Sequence, residues 1–317
     1  MLAVAFCACG LTAAADDFPS HTITMVVPFP AGGPTDTLAR ILCERLTTVL
    51  GKSVIVENTT GAGGSIGVGR VVRAAPDGYT LSIGHIGTHV FNGAIYKLPY
   101  DLVKDMEPVS LIASNPQLIM SSNDVPANNL KELVAWVKAN PDKVTISGNG
   151  VGTPGHISAV EFQIVTGTKL QIVQYRGSAP AIQDLIAGRT NLDFDQASNA
   201  LPQVRAGKIK GYAVTSKTRW SAAPDIPTVD EAGLPGFYME IRHGIWVPKG
   251  TPGAVVAKLN GAIVEALADP ALRQRLATLG QDPVPREQQN PEALAAWQRS
   301  EIDKWWPVIR AAGIKPE

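Results

Sequence analysis

Strand and helix signals alternate along most of this chain, and that alternation restricts it to a parallel sheet covered by helices. The first series reads strand 22–28 (TITMVVP), helix 34–50, strand 53–56, helix 65–75, strand 79–83 and helix 89–96. In helix 34–50 the apolar residues Leu38, Ile41, Leu42, Leu46 and Val49 recur at helical spacing. Pro34 suits its first position and Gly51 the residue past its end. After strand 117–121 and helix 129–139 the alternation restarts: strand 144–147, helix 156–165, strand 170–174, helix 179–187, strand 192–194, helix 200–206 and strand 209–214. A proline-rich stretch (224–235), a strand pair near 238–247 and helices 252–268, 270–279 and 291–312 close the chain. Two series imply two lobes, residues 20–120 plus 222–317 and residues 121–221. Each is expected to carry its own sheet, rather than one continuous sheet running through Val26, Ile83 and Ile146.

Residues 2–15 (LAVAFCACGLTAAA) are uncharged and give way to Asp16-Asp17. An apolar run ending in small residues is the core and cleavage site of a secretory signal, and it falls short of the about 20 residues a bilayer span needs. No Lys or Arg precedes it, which suggests a displaced start codon. Phe6-Cys7-Ala8-Cys9 fits a lipoprotein signal poorly. Residues 1–15 are therefore expected to address the protein to the periplasm. Their removal leaves Cys43, which has no disulfide partner and no zinc-type Cys/His spacing around it.

Composition narrows the function. Of 317 residues, 45% are hydrophobic and 18% charged, with Lys+Arg 28 balancing Asp+Glu 28. This argues against disorder and against a nucleic-acid binder relying on bulk positive charge.

The chemistry-bearing segments are glycine loops between a strand and a helix. Loop 28–36 (PFPAGGPTD) lets the backbone approach a ligand, and the following helix aims its free N–H groups and positive dipole end at the loop. Such a site takes a carboxylate as well as a phosphate. A plain tight turn, with Asp36 paired to Arg40 at i+4, explains the same residues. In loop 148–156 (GNGVGTPGH), Gly150, Gly152 and Gly155 satisfy the dinucleotide fingerprint G-x-G-x-x-G. The next strand, however, ends Gln174-Tyr175-Arg176 instead of in the acid that fingerprint needs. The third loop, 58–64 (NTTGAGG), lacks the Lys-Ser/Thr ending of a phosphate loop and suits close helix–strand packing. Asp193 and Asp195 flank Phe194 and share one strand face, so Asp195 either lines a cleft or caps the next helix. His85 and His89 are spaced i,i+4 without a Glu or Cys partner nearby. No G-x-S-x-G nucleophile elbow occurs.

Together these motifs resemble the Bug family, the TctC-type periplasmic solute-binding proteins of tripartite tricarboxylate transporters. The resemblance covers nearly the whole mature chain. It rests on 28–40 (PFPAGGPTDTLAR), 56–67 (VENTTGAGGSIG), 74–81 (AAPDGYTL), 98–101 (LPYD), 175–188 (YRGSAPAIQDLIAG), Phe194-Asp195, 224–237 (PDIPTVDEAGLPGF) and 251–260 (TPGAVVAKLN). It implies an α/β, two-lobed periplasmic-binding-protein fold (type II-like, a Venus flytrap) with the ligand between the lobes. It also implies that the two glycine loops hold ligand carboxylates through backbone N–H groups, often with bridging water. The chain departs from the family pattern at Pro154-Gly155, at Gln174 in place of His, and at Arg242-His243 in place of an aromatic residue.

The candidate ligand contacts are Phe29, Ala31, Gly32, Gly33, Thr35 and Asp36 in the first loop and Thr88 after the third strand of the first series. In the second series they are Asn149, Gly150, Thr153, His156 and Asp195. The expected function is capture of a small organic carboxylate (a dicarboxylate, tricarboxylate or aromatic acid) for membrane permease subunits, by a monomer without cofactor, metal or nucleic acid. Two other readings stay open: an α/β enzyme with a nucleotide cofactor at Gly150–Gly155, and a carboxylate sensor for a signalling kinase.

Overall fold

The computed structural model describes residues 18–316. The secretory signal assigned to residues 1–15, with Cys7 and Cys9, lies outside the described residues.

The chain opens with strand β1 (Ile23–Val27), helix α1 (Pro34–Leu50), β2 (Val54–Asn58), α2 (Ser65–Val72) and β3 (Thr80–His85). A π-helical turn (Gly87–Phe91) then runs into the short α3 (Asn92–Ile95). Next come β4 (Met106–Ser121), α4 (Leu130–Ala139), β5 (Thr145–Gly148), α5 (Pro154–Thr166), β6 (Gln171–Gln174), α6 (Ser178–Ile186), β7 (Leu192–Gln196), α7 (Ala197–Arg205) and β8 (Lys210–Val214). The last elements are β9 (Glu240–Pro248), α8 (Gly253–Ala268), α9 (Pro270–Thr278), β10 (Asp282–Pro283) and α10 (Pro291–Ala311). Among the described residues four helices start with proline as their first residue, where its missing N–H costs nothing: Pro34, Pro154, Pro270 and Pro291. Gly51 ends α1 in the left-handed region (φ 65°), which relieves the last carbonyls.

The strands run β2-β1-β3-β9-β4-β7-β5-β6, with β8 and β10 also on β4. Strands β2, β1 and β3 are mutually parallel, as are β7, β5 and β6. Between these trios, β9 and β4 lie antiparallel to their neighbours, so the sheet is mixed rather than parallel throughout. The expected strand pair near 238–247 is the single strand β9.

The expectation of two separate sheets also needs correction, because the hydrogen-bonded path from β1 through β3 to β5 is unbroken. Its cause is β4. At 3.3 Å per residue, its 16 residues stretch about 50 Å, enough to pass through both halves of the molecule. Met106 to Pro116 pair with β9, whereas Gln117 to Ser121 pair with β7 on one side and β8 on the other.

Each half buries apolar side chains on both faces of its strands, with the period of two that a covered sheet requires. In β1, Met25 and Val27 pack with Leu38 and Leu42 of α1 and Leu259 of α8, while Val26 faces Phe91, Trp246 and Trp305. In β4, Ile119 joins Leu133, Ile146, Phe162, Phe194 and Phe237, while Leu118 and Met120 face Ile182, Leu185 and Trp220. Cys43 is buried in the first cluster, and burial pushes its thiol up to about 12, so it stays a protonated core residue.

Candidate ligand-binding cleft

The C-terminal ends of β1, β3, β5, β6 and β7 point toward one cleft, the position where open α/β sheets hold ligands. The cleft has a volume of about 620 Å³ counted out to its open mouth. One wall is the β1–α1 loop. Gly32 adopts φ 82°, which a residue with a Cβ rarely does, and its N–H donates to Asp36 Oδ2 at 2.8 Å. Asp36 also accepts from Arg40 Nε and Nη2 at 2.9 and 3.0 Å and from Asn58 Nδ2 at 2.9 Å. Burial works against its ionisation. The hydrogen bonds from Arg40, the Gly32 N–H and Asn58, helped by the Arg40 charge, win and hold the carboxyl below its ordinary value of 3.8. Asp36 thus fastens the loop and has little left for a ligand. What the loop offers instead is the start of α1, where Gly33 supplies no side-chain cap.

The opposite wall is made by three further helix starts. Helix α5 begins at Pro154 with Thr153 as its cap: Thr153 Oγ1 accepts from the His156 N–H at 3.4 Å and donates to Gly150 O at 2.8 Å. Helices α6 and α7 start after Gly177 and Gln196, neither of which caps its helix; in α7 the Ser198 N–H donates to Asn115 Oδ1 at 3.4 Å. Gly33 and the residues at these other helix starts line the same space. Four positive dipole ends therefore face one cleft, and uncapped first-turn N–H groups are what a carboxylate binds.

The glycines of the second loop have separate reasons to be there. Gly150 and Gly152 take φ 110° and 82°. A Cβ on Gly155 would come within 2.5 Å of Phe194 O and 2.8 Å of Asn149 Nδ2, so α5 seats against β7 only if this residue is glycine. The three positions of the dinucleotide fingerprint are thus accounted for by turn geometry and close packing. The third glycine loop also packs closely, as expected. A Cβ on Gly63 would lie 2.7 Å from Val151 O, and one on Gly64 would lie 2.6 Å from Thr88 Cγ2.

Inside the cleft the polar groups divide by charge. Asp195 Oδ1 accepts from Ser178 Oγ at 2.9 Å and from the Gln196 N–H at 2.8 Å, and Oδ2 accepts from Asn199 Nδ2 at 2.6 Å. Burial nevertheless raises its pKa above the ordinary carboxylate value, against the pull of those bonds. Asp193, on the same strand face, is fully buried and its oxygens find no hydrogen-bond partner. Burial first, then the charge of Asp195, holds it well above the carboxylate range. His85 lines the cleft from the end of β3 and stacks on Phe29 at 4.9 Å. Its Nδ1 accepts from the Gly87 N–H at 3.0 Å, and burial pushes its pKa down to about 3, so the ring is neutral. Arg176 lies exposed at the cleft, just before α6.

A family model described as "Tripartite tricarboxylate transporter family receptor" (TctC) matches residues 38–314. The chain belongs to this family. It is 40% identical over 95% of its length to the UPF0065 protein of the ttuE-ttuC' intergenic region of Agrobacterium vitis, covering 87% of that protein. Among solved structures, the periplasmic binding protein BugD is 40% identical and superposes with a TM-score of 0.88 over 95% of this chain and 100% of BugD. MatC from Rhodopseudomonas palustris, solved with bound malate, is 38% identical with a TM-score of 0.87 over 92% of this chain and 100% of MatC. The chain accordingly has the two-lobed α/β fold of periplasmic binding proteins.

In this TctC-family receptor, seven of the twelve residues named from sequence as candidate ligand contacts line the cleft: Phe29, Ala31, Gly33, Thr35, Asn149, Thr153 and Asp195. The other five stand behind that lining. Gly32 and Asp36 shape the first loop, and Gly150 turns the second. His156 Nδ1 accepts from the Gly152 N–H at 3.3 Å, and burial pushes its pKa down to about 4. Thr88 Oγ1 is occupied by the N–H and carbonyl of His85 and by His89 Nδ1. His89 itself stacks on Trp246 at 3.7 Å, away from the cleft.

Sequence reasoning missed the start of α6 (Arg176, Gly177, Ser178), along with His85, Gln117 and Gln196. The strand–glycine–helix pattern of 174–179 carried the same signal as the two loops that were found. Gln117 carried none, because its place follows from the partner switch in β4. Two departures from the family pattern have packing partners: Gln174 lies over Gly148, and His243 Nε2 sits 3.2 Å from Thr35 Oγ1 at the start of α1.

Proposed function

We propose that this protein is a periplasmic receptor that captures a small organic carboxylate, acting as a binding protein and not as an enzyme. We read the delivery partner as the permease of a tripartite tricarboxylate transporter and the receptor itself as a monomer. One observation carries the reading: helix starts without side-chain caps face each other across one cleft, and a carboxylate supplies the missing acceptors on both walls. The malate in MatC supports the same class of ligand. The apolar run at 2–15 supports export. Among the described residues, no helix is long and apolar enough to cross a membrane. We place the lobe boundary in β4, where its partners change. We place the return to the first lobe later than residue 222, just before β9, because Val229, Leu234 and Phe237 pack with Ile119 and Phe194.

The nucleotide reading loses its motif, since turn geometry and close packing account for the glycines and β6 ends without an acid. Melting curves test the proposal. Succinate, malate, adipate and citrate are each added at millimolar concentration, with NAD and NADP as counter-probes. An acid at about 100 times its Kd stabilises the folded state by about 2.7 kcal/mol. A shift with at least one acid and none with the nucleotides is expected. A shift with a nucleotide alone would overturn the reading. Delivery is checked with permease vesicles, whose uptake should depend on added receptor.

A further inference from the structure

Two acids lie in or behind an anion-binding wall without an ion-pair partner among the described residues. Asp193 and Asp195 share one face of β7, both buried, and among the described residues neither forms an ion pair. The Asn149 amide, which donates to Phe194 O between them at 3.4 Å, lies close to both carboxyls from the β5–α5 loop. Asp195 also holds Ser178, the first residue of α6, at 2.9 Å. A carboxylate drawn to the uncapped start of α6 therefore arrives beside Asp195, and a further negative charge there is repelled by it.

We propose that ligand capture is coupled to proton uptake: as a carboxylate enters, Asp195 takes one proton from solvent and turns from an acceptor into a hydrogen-bond donor toward the ligand. This rests on the carboxylate reading above. The proton comes from bulk water and stays on Asp195 while the ligand is bound. Burial and the charge of Asp195 both favour the protonated form of Asp193, which keeps the second site of the pair from sharing the charge.

The groups packed around Asp195 leave it as the one that responds. Ser178 of α6, Asn199 of α7 and Asn149 do not titrate. Tyr175, at the end of β6, is pushed up to about 12 by burial and by its bond to Asp184. Asp184 of α6 is held below its ordinary value by Tyr175 and Arg189. Leu118 of β4 faces Asp195 in register, and across the cleft His85 is already neutral. Arg176 lies exposed at the mouth. Glu161 of α5 is pushed up to about 7 by burial, against Lys304, and so titrates in the same range away from the cleft. It needs its own control.

Calorimetry decides the matter. The acid that shifts melting is titrated in phosphate and in Tris buffer, whose ionisation heats differ, between about pH 6 and pH 8. The expected result is a buffer-dependent enthalpy reporting up to one proton taken up. The affinity should fall with rising pH by up to about tenfold per unit. Asp195→Asn should abolish the uptake and flatten the pH dependence, so that it binds more tightly than the parent at the high-pH end. Glu161→Gln should keep both effects. Binding with equal enthalpies in the two buffers would overturn the coupling while leaving the carboxylate function standing. If no acid bound at either pH, the function itself would fail, and the coupling with it.

Discussion

At Gly33 the backbone torsions (φ −77°, ψ 169°) suit any L-residue, and a Cβ there would meet only Pro30 O, at 3.5 Å. The glycine is thus not needed by the fold, yet it sits at the start of α1 on the cleft wall. Gly33→Val is expected to leave far-UV circular dichroism and melting unchanged while weakening carboxylate binding by tenfold or more. Binding at parental affinity would remove the first loop from the site. Asp36, three residues on, has the opposite character, because its carboxylate is filled by the loop. Asp36→Asn should cost about 1–2 kcal/mol at neutral pH, since Arg40 is half exposed and its bonds are screened by solvent. The folded carboxyl sits below 3.8, so its contribution is fully present above that value and is lost as pH falls beneath it. Urea unfolding at pH 7 and near pH 3 should therefore show a gap between parent and variant that closes in acid.

Among the elements, α5 depends on a single atom-sized space. Gly155→Ala pushes a methyl group against Phe194 O and the Asn149 amide, and the overpacking should cost about 1–3 kcal/mol. The displaced helix start should also weaken ligand binding, which calorimetry on the folded variant would register. Unchanged stability would mean that α5 seats more loosely than these distances imply. How much of this was legible varied by element. Helix α1 could be bounded to the residue because its proline start, apolar stripe and glycine end all act locally. Strand β4 was legible only over its last five residues, since Pro108 and Pro116 interrupt the signal and a strand tolerates them only at edges or irregular pairing. Its register with β9 does shift next to Pro108. The glycine loops were readable as helix starts, but whether Asp36 met the ligand or its own loop depended on Asn58, 22 residues away.

At the scale of the whole molecule, the halves meet along β4, where Trp220 Nε1 also donates to Gly280 O at 3.1 Å and Ser221 Oγ to Asp282 Oδ1 at 3.0 Å, and at a contact made by side chains outside the cleft lining. Tyr96 Oη donates to Val151 O at 2.9 Å, and Asn92, held to Gly63 O of its own half at 2.9 Å, packs beside Gly152. Val151 and Ile157 of the second half pack with Val90, Ile95 and Trp305 of the first. We read this contact as one that opening of the cleft would break, so that a ligand bridging both walls favours the arrangement that keeps it. Ligand should therefore reduce the radius of gyration measured by X-ray scattering. Tyr96→Phe removes one hydrogen bond from the closed state alone, a net loss of about 0.5–1.5 kcal/mol. Where the open form dominates without ligand, the apparent affinity should fall roughly two- to tenfold although no ligand contact has changed. The variant should still contract at saturation, only at higher ligand concentration. If the variant bound as tightly as the parent and the radius did not change at saturation, the contact would not be a closure contact and the two halves would bind ligand without moving.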